Sequence, residues 1–309
     1  MKLAPECLPC ALMQVIEAGR ILNLPQRQIS RMLDRALVVL QERDESLPSP
    51  LLGRALHRVI REELGLPDPY GEQKRRATRQ ALELLPEVER HVRGATRPFR
   101  AAVQVSTAGN VLDLSIPGLS AVGPRDVIEQ AEHVWLDPTS LDELEQAVHQ
   151  ARSILFLADN AGELVLDRPL LALMAHARVT VGVRGCPTIN DATLVDARES
   201  GIASPLRVID NGADVPGTWL PQCAPSFVKE FDEADLVIAK GQGNYETLTE
   251  AAREVFLLLR VKCTAVARDV DQAVGSFVLR RHRPEGPRAS HTGSCSANAV
   301  DRRPDSRSS

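Results

Sequence analysis

The chain has 309 residues, 43% of them hydrophobic and 25% charged, with 37 Lys and Arg against 41 Asp and Glu. That is ordinary globular composition, sized for one large domain or two modest ones at roughly 100–200 residues per domain. A formal net charge of −4 excludes the basic surface that a nucleic-acid binder needs to displace counterions, and 3% aromatic content is too little for a base-stacking platform.

Pro5, Glu6 and Pro9 interrupt the N-terminus before a signal-peptide core develops, and no stretch reaches the roughly 18 apolar residues of a membrane span. The expected setting is cytoplasmic, with neither membrane nor nucleic acid as partner. Six cysteines, at positions 7, 10, 186, 223, 263 and 295, are then expected as reduced thiols rather than a disulfide framework.

From Cys10 to about Arg93 apolar residues recur at the helical period, as in Leu12, Val15 and Ile16, then Ile29, Met32, Leu33, Ala36 and Leu40, then Leu52, Leu56, Val59 and Ile60. Pro25, Pro48, Pro50 and Pro67 punctuate these segments. Residues 1–95 are therefore expected to form a helical N-terminal subdomain. From about Arg100 short β-rich runs alternate with helical patterns: Ala101 to Ser106, Ser153 to Ala158, Arg178 to Val183, Leu206 to Ile209, Asp235 to Ala239, and Lys262 to Ala267.

This alternation predicts parallel βαβ units, and near-continuous apolar runs such as I-L-F-L and L-V-I-A predict strands covered on both faces. The fold class expected for residues 96–280 is α/β, a doubly wound, mainly parallel sheet flanked by helices. After Leu279 the periodicity stops, and the Arg-, Ser- and Pro-rich residues 281–309 are expected to form a disordered tail.

Ligands of such sheets bind beyond the carboxyl ends of the strands. Polar clusters stand at those places: A-G-N-V-L-D, D-N-A-G-E, R-G-C-P-T-I-N-D-A-T and K-G-Q-G-N-Y-E. Taken singly, Asp159 or Asp191 is as readily a helix N-cap as anything else. Parallel topology, however, brings Asp159, Asn160, Asp191, Asn110 and Lys240 to one edge of the sheet. Carboxylate and amide oxygens are hard donors suited to Mg or Mn, and two acids with an amide leave positions open for water and a substrate oxygen.

Turns at Gly162 and at Gly241 to Asn244 feed helix N-termini that favour an anion, and Lys240 and Lys262 add positive charge. A phosphate ester held between cation and loop is the expected occupant. Glu163 reads either as a first-turn acid or as a partner that holds a ligand in place. G-Q-G-N-Y-E is not a dinucleotide fingerprint, because its third glycine position falls on Glu246 and the turn comes late in the chain.

In this order, P-E-C-L-P-C, A-G-N-V-L-D, D-N-A-G-E, R-G-x-P-x-I-N-D-A-T, K-G-Q-G-N-Y-E and V-K-C resemble the damage-control phosphatase family, formerly a domain of unknown function, over residues 1 to about 280. The Cys7-x-x-Cys10 pair makes the chain similar to the prokaryotic subfamily with an N-terminal CxxC. The resemblance implies a phosphatase that uses Mn, Co or Ni, with Mg as a further option, and acts on sugar phosphates or other damaged or surplus phosphometabolites. It implies Asp159, Asn160 and Asp191 as catalytic metal ligands. It implies Gln242, Gly243, Asn244, Tyr245, Glu246 and Lys262 as substrate contacts, which Asn110 and Lys240 are expected to join. Asn110 and Asp113 occupy the family's G-N-x-x-D motif. Cys186 departs from the family pattern and reads as a small packing residue.

The expected mechanism is in-line attack on phosphorus by a water that Asp159 or Asp196 orients, with Lys262 and loop amides holding the developing charge. Asp159 as covalent phosphoryl acceptor is the competing route. Two other function classes stay open: a carboxyl methyltransferase using a sulfonium cofactor, which wants a glycine-rich loop where A-G-N-V-L-D supplies one glycine, and a non-catalytic metabolite-binding protein. Cys7 and Cys10 make an incomplete zinc site unless Cys263 joins them, and packing at a helix start is the plainer reading. His57, His91, His133 and His149 read as structural.

Overall fold

Helices fill the first hundred or so residues of the computed structural model, which describes residues 1–109, 124–204 and 206–284. Asn110, Asp113 and residues 285–309 lie outside the described residues. Helices α1 (Cys7–Ile21), α2 (Gln26–Gln41) and α3 (Ser49–Leu64) close on a core of their own around Val15, Met32, Ala36, Leu56 and Ile60. Proline and glycine set their ends: Pro25 and Pro48 are the N-caps of α2 and α3, and Gly65 ends α3 in the left-handed region at φ 63°. Then come α4 (Gly71–Gly94), α5 (Pro98–Ala108), α6 (Pro124–His133) and α7 (Pro138–Gln150).

The rest of the chain alternates. It runs β1 (Ser153–Leu157), α8 (Glu163–Leu173), β2 (Arg178–Val183), α9 (Leu194–Glu199), β3 (Arg207–Asp210), α10 (Pro225–Glu233), β4 (Leu236–Lys240), α11 (Gln242–Leu248), β5 (Val255–Arg260), α12 (Thr264–Val270) and β6 (Phe277–His282). The sheet order is β3-β2-β1-β4-β5-β6, parallel throughout except that β6 runs antiparallel to β5. Ile154 and Phe156 pack into the layer that holds α4, α5 and α8, while Leu155 and Leu157 meet Phe227 and Phe231 of α10 and Tyr245 of α11. Both faces are covered, which is why the strands read as unbroken apolar runs.

From β1 the chain winds outward through β2 and β3, then returns to place β4 on the other side of β1. The carboxyl ends of β1 and β4 therefore flank the switch point, where doubly wound sheets open their binding cleft. No described helix is long and apolar enough to cross a membrane.

Three expectations need correction. Ala101 to Ser106 is helical, within α5, and not a strand. Pro98 starts that helix, and the helix is buried on nearly every side, so its apolar residues show no amphipathic period to separate it from a strand. Lys262 and Cys263 lead into α12, whose first turn holds Thr264 to Ala267; the strand is the preceding V-F-L-L-L-R, already spent by Arg260. Finally, Arg280, Arg281 and His282 continue β6 beyond Leu279. An edge strand tolerates charge, and here Arg281 pairs with Glu143 and Glu254 and covers the ring of Phe256.

Candidate active site

The chain leaves β1 at Ala158 and enters D-N-A-G-E, which zips onto the I-N-D-A-T segment that follows β2. Ala192 N–H donates to Asp159 O at 2.8 Å, Ala161 N–H donates to Asn190 O at 2.9 Å, and Asn160 and Asp191 form an antiparallel bridge. Two loops far apart in sequence are thus joined by main-chain bonds, and these fix Asp159, Asn160 and Asp191 side by side. All three are buried, yet all three line a cavity of about 200 Å³ at the switch point. Ile189, two residues before Asp191, has φ 46°, a strained setting for a β-branched residue held by the surrounding bonds.

Each donor is oriented by a neighbour. Asn160 Nδ2 donates to Glu163 Oε1 at 2.5 Å and to Asp159 Oδ2 at 3.1 Å. Arg184, itself buried, donates from Nε to Asp191 Oδ2 at 2.6 Å and stands 4.0 Å from Asp159 Oδ1, so one guanidinium spans both carboxylates. Gly217 N–H adds a bond to Asp191 Oδ2 at 3.3 Å. Gly241 comes so close that a Cβ there would lie 1.9 Å from Asp159 Oδ2, and its φ of 85° belongs to the left-handed region. Only glycine fits.

The K-G-Q-G-N-Y-E segment divides between two tasks. Gln242, Gly243 and Glu246 line the cavity, as does Lys262, whose N–H donates to Gln242 Oε1 at 3.0 Å. Lys240, Asn244 and Tyr245 do not. Lys240 lies fully buried beneath the loop, with Nζ 3.1 Å from Glu163 Oε2 and 2.9 Å from Asp167 Oδ1. Asn244 bonds the main-chain oxygens of Ala158 and Lys240 at 3.1 and 2.7 Å, which ties the ends of β1 and β4 together. Tyr245 gives its hydroxyl to Asp269. These three expected substrate contacts are struts.

Other expectations shift as well. Asp196 is not a water-orienting acid: it closes the capping box of α9 with Thr193 and pairs with the buried Lys74 at 2.7 Å. Gly162 has its open side filled by Ala77 of α4, 3.0 Å from where a Cβ would stand, so its small size serves helix packing rather than approach to a phosphate. His57 is buried against Tyr70, with its pKa pushed down to about 3 by burial, and stays neutral.

The roof of the cavity is the N-terminal helical layer. Cys7 and Cys10 of α1 and Ser49 of α3 face Lys262 and Cys263 across it. Burial pushes the Cys10 thiol up to about 11 and raises that of Cys7, so both stay protonated. Cys263 lines the same cavity as the CxxC pair, but among the described residues the three thiols do not gather as a metal site.

Arg184 stands outside the site residues expected from the sequence, yet the signal is present there: it opens R-G-C-P directly after β2 and is the buried cation of the site. A larger cavity of about 640 Å³ lies between α4 and α8 and contains none of the strand-end residues.

The damage-control phosphatase ARMT1-like domain matches residues 3–278. The chain belongs to that family. A damage-control phosphatase of Archaeoglobus fulgidus is 32% identical, with the alignment covering 91% of this chain and 99% of the relative. A damage-control phosphatase of Pyrococcus horikoshii is 31% identical over 92% of this chain and 99% of its own length. A crystal structure of a DUF89-family protein from Pyrococcus horikoshii superimposes with a TM-score of 0.79 at 30% identity, covering 92% of this chain and all of that one. Family membership accords with the motif order, and the ARMT1-like core includes the two zipped loops and the α11 segment alike.

Proposed function

We propose that the chain is a divalent-metal-dependent phosphatase that hydrolyses phosphate monoesters of small metabolites, sugar phosphates and related damaged or surplus phosphometabolites, with Mn, Co, Ni or Mg as cation. The observation that carries this reading is the bridge between D-N-A-G-E and I-N-D-A-T, which sets Asp159, Asn160 and Asp191 together in the switch-point cavity. Relatives named as phosphatases, aligned along nearly their whole length, support the hydrolase half. The donor set supports the metal half.

The residues suit a hard divalent cation. Asn160 turns its nitrogen to the carboxylates of Glu163 and Asp159, which accept, so its oxygen remains the donor atom for a metal. Among the described residues no three or more His, Cys, Asp or Glu side chains gather as a metal site. A cation here would rest on two carboxylates and one amide, with its other positions left to water and substrate. When bound it supplies Lewis acidity toward a phosphoryl oxygen and toward water.

The chain's own groups do the rest. Arg184 fixes the two carboxylates relative to each other, and Glu163 fixes the amide. Lys262 brings an ammonium to the cavity where phosphoryl oxygens carry charge. Cys7, Cys10 and Ser49 close the cavity from above and restrict water.

Phosphate release from a panel of sugar and alcohol phosphates, each with Mn, Co, Ni or Mg, tests the reading. The wild type is expected to release phosphate with at least one cation, and Asp159→Ala and Asp191→Ala to lose on the order of 100-fold or more, the scale of removing one preorganised electrostatic contact. No release with any cation, or release indifferent to both substitutions, refutes it.

A further inference from the structure

Glu246 is an acid in the cavity that the ligand cluster does not use. It lies on α11 one turn after Gln242, so the two side chains share the face that looks into the cavity. The residue is 6% exposed. Neutral partners hold it: Ser49 Oγ of α3 donates to Oε2 at 2.9 Å, and Gln242 Nε2 lies 3.4 Å from Oε1. The ionisable groups facing it are the Met1 amino group, which bonds the Glu246 carbonyl at 3.1 Å, Lys262 and Cys263 after β5, and Cys7 and Cys10 of α1. Burial pushes the carboxyl up to about 7 against the lowering effect of Ser49, the Met1 ammonium, Gln242 and Lys262.

The contrast with the ligand acids is chemical. Asp191 accepts a bond from the Arg184 guanidinium, which also stands 4.0 Å from Asp159, whereas the Glu246 carboxyl accepts from a hydroxyl and an amide and is faced by the Met1 and Lys262 ammoniums and by thiols. The cavity thus holds, apart from the ligand acids, a buried carboxyl placed to give a proton.

We infer that Glu246 is the general acid that protonates the leaving oxygen of the ester; this rests on the phosphatase reading above. An alkoxide is a poor leaving group, so a positioned proton donor contributes typically 10²- to 10⁴-fold, about the range expected here. In the step the water oxygen bonds to phosphorus while the bond from phosphorus to the alcohol oxygen breaks. The bonding pair goes to the alcohol oxygen, which takes the Glu246 proton and leaves as the alcohol. Both protons of the water stay with the phosphate; it then loses one to solvent, and Glu246 takes one back from solvent.

The test uses the full chain with Mn and two probes, p-nitrophenyl phosphate, whose phenolate leaves without help, and a hexose 6-phosphate, whose alkoxide does not. Glu246→Gln keeps the shape and removes the proton. It is expected to lower kcat on the hexose phosphate by about 100-fold or more, to leave kcat on the aryl ester within a few-fold, and to abolish the fall in hexose-phosphate turnover as pH rises through about 7. Equal losses on both probes, or a raised KM with kcat unchanged, overturn the assignment and make Glu246 a structural or binding group. A second measurement needs no variant: across alkyl and aryl phosphates the wild type is expected to show kcat/KM nearly independent of leaving-group pKa, and a steep dependence overturns the proposal. If the wild type hydrolyses neither probe with any of the four cations, the phosphatase reading itself falls.

Discussion

Lys240 serves the site without entering it. Burial alone lowers a lysine pKa, but Asp167 and Glu163 more than offset that and hold the ammonium well above its usual range. The acid beside it is the one that turns the Asn160 amide, so Lys240, Glu163 and Asn160 form a chain from the core to the cavity. Lys240→Met would strand two buried carboxylates, at a cost of about 3–5 kcal/mol. Urea denaturation is expected to show that loss, and unchanged stability would refute the role. The strand-end position is legible in the sequence and predicts a substrate contact, whereas the side chain turns into the core. The parity of the strand held the answer: Ile238 packs into the layer of α8, and Lys240, two residues on, points the same way.

At the scale of elements, α11 shows how one motif splits by helical period. Gln242 and Glu246 are four apart and face the cavity, whereas Tyr245 and Leu248 face the sheet, and Asn244 bonds the strand ends. Reading K-G-Q-G-N-Y-E as one contact loop merges positions that a helix separates. Its entry is equally constrained, since Gly241 touches Asp159. Gly241→Ala puts a methyl group on that carboxylate and forces a left-handed backbone on an L residue. The expected outcome is a folded protein whose cation-dependent phosphate release drops on the order of 100-fold, checked by circular dichroism beside the assay; full activity would show the contact to be dispensable. The two misread strands differ in cause. Helix α5 is covered on nearly every side, so A-A-V-Q-V-S shows no face that separates a helix from a strand, whereas V-K-C-T-A-V-A starts where β5 has already ended and runs into a helix too short to show its period.

Across the whole molecule, the N-terminal helices are part of the site, and nothing local in their sequence says so. Arg54, Arg58 and Arg61 recur along one side of α3 and converge on Asp214 in the loop after β3. Burial alone would raise the Asp214 pKa, but the three guanidiniums hold it well below the usual carboxylate range, so the latch persists through neutral and mildly acidic pH. Met1 adds a second tie to Glu246 and Thr249 of the core. These contacts join residues more than 150 positions apart, beyond the reach of periodicity or capping rules. The doubly wound order, by contrast, was legible, because strand and helix alternate openly from β1 to α12, and with it came the location of the cleft. Binding of Mn to metal-depleted protein, followed by calorimetry in the wild type and in Asp159→Ala and Asp191→Ala, tests the central claim most directly. The account predicts one bound cation in the wild type and none in either folded variant; a wild type that binds no cation, or variants that bind as it does, would contradict it.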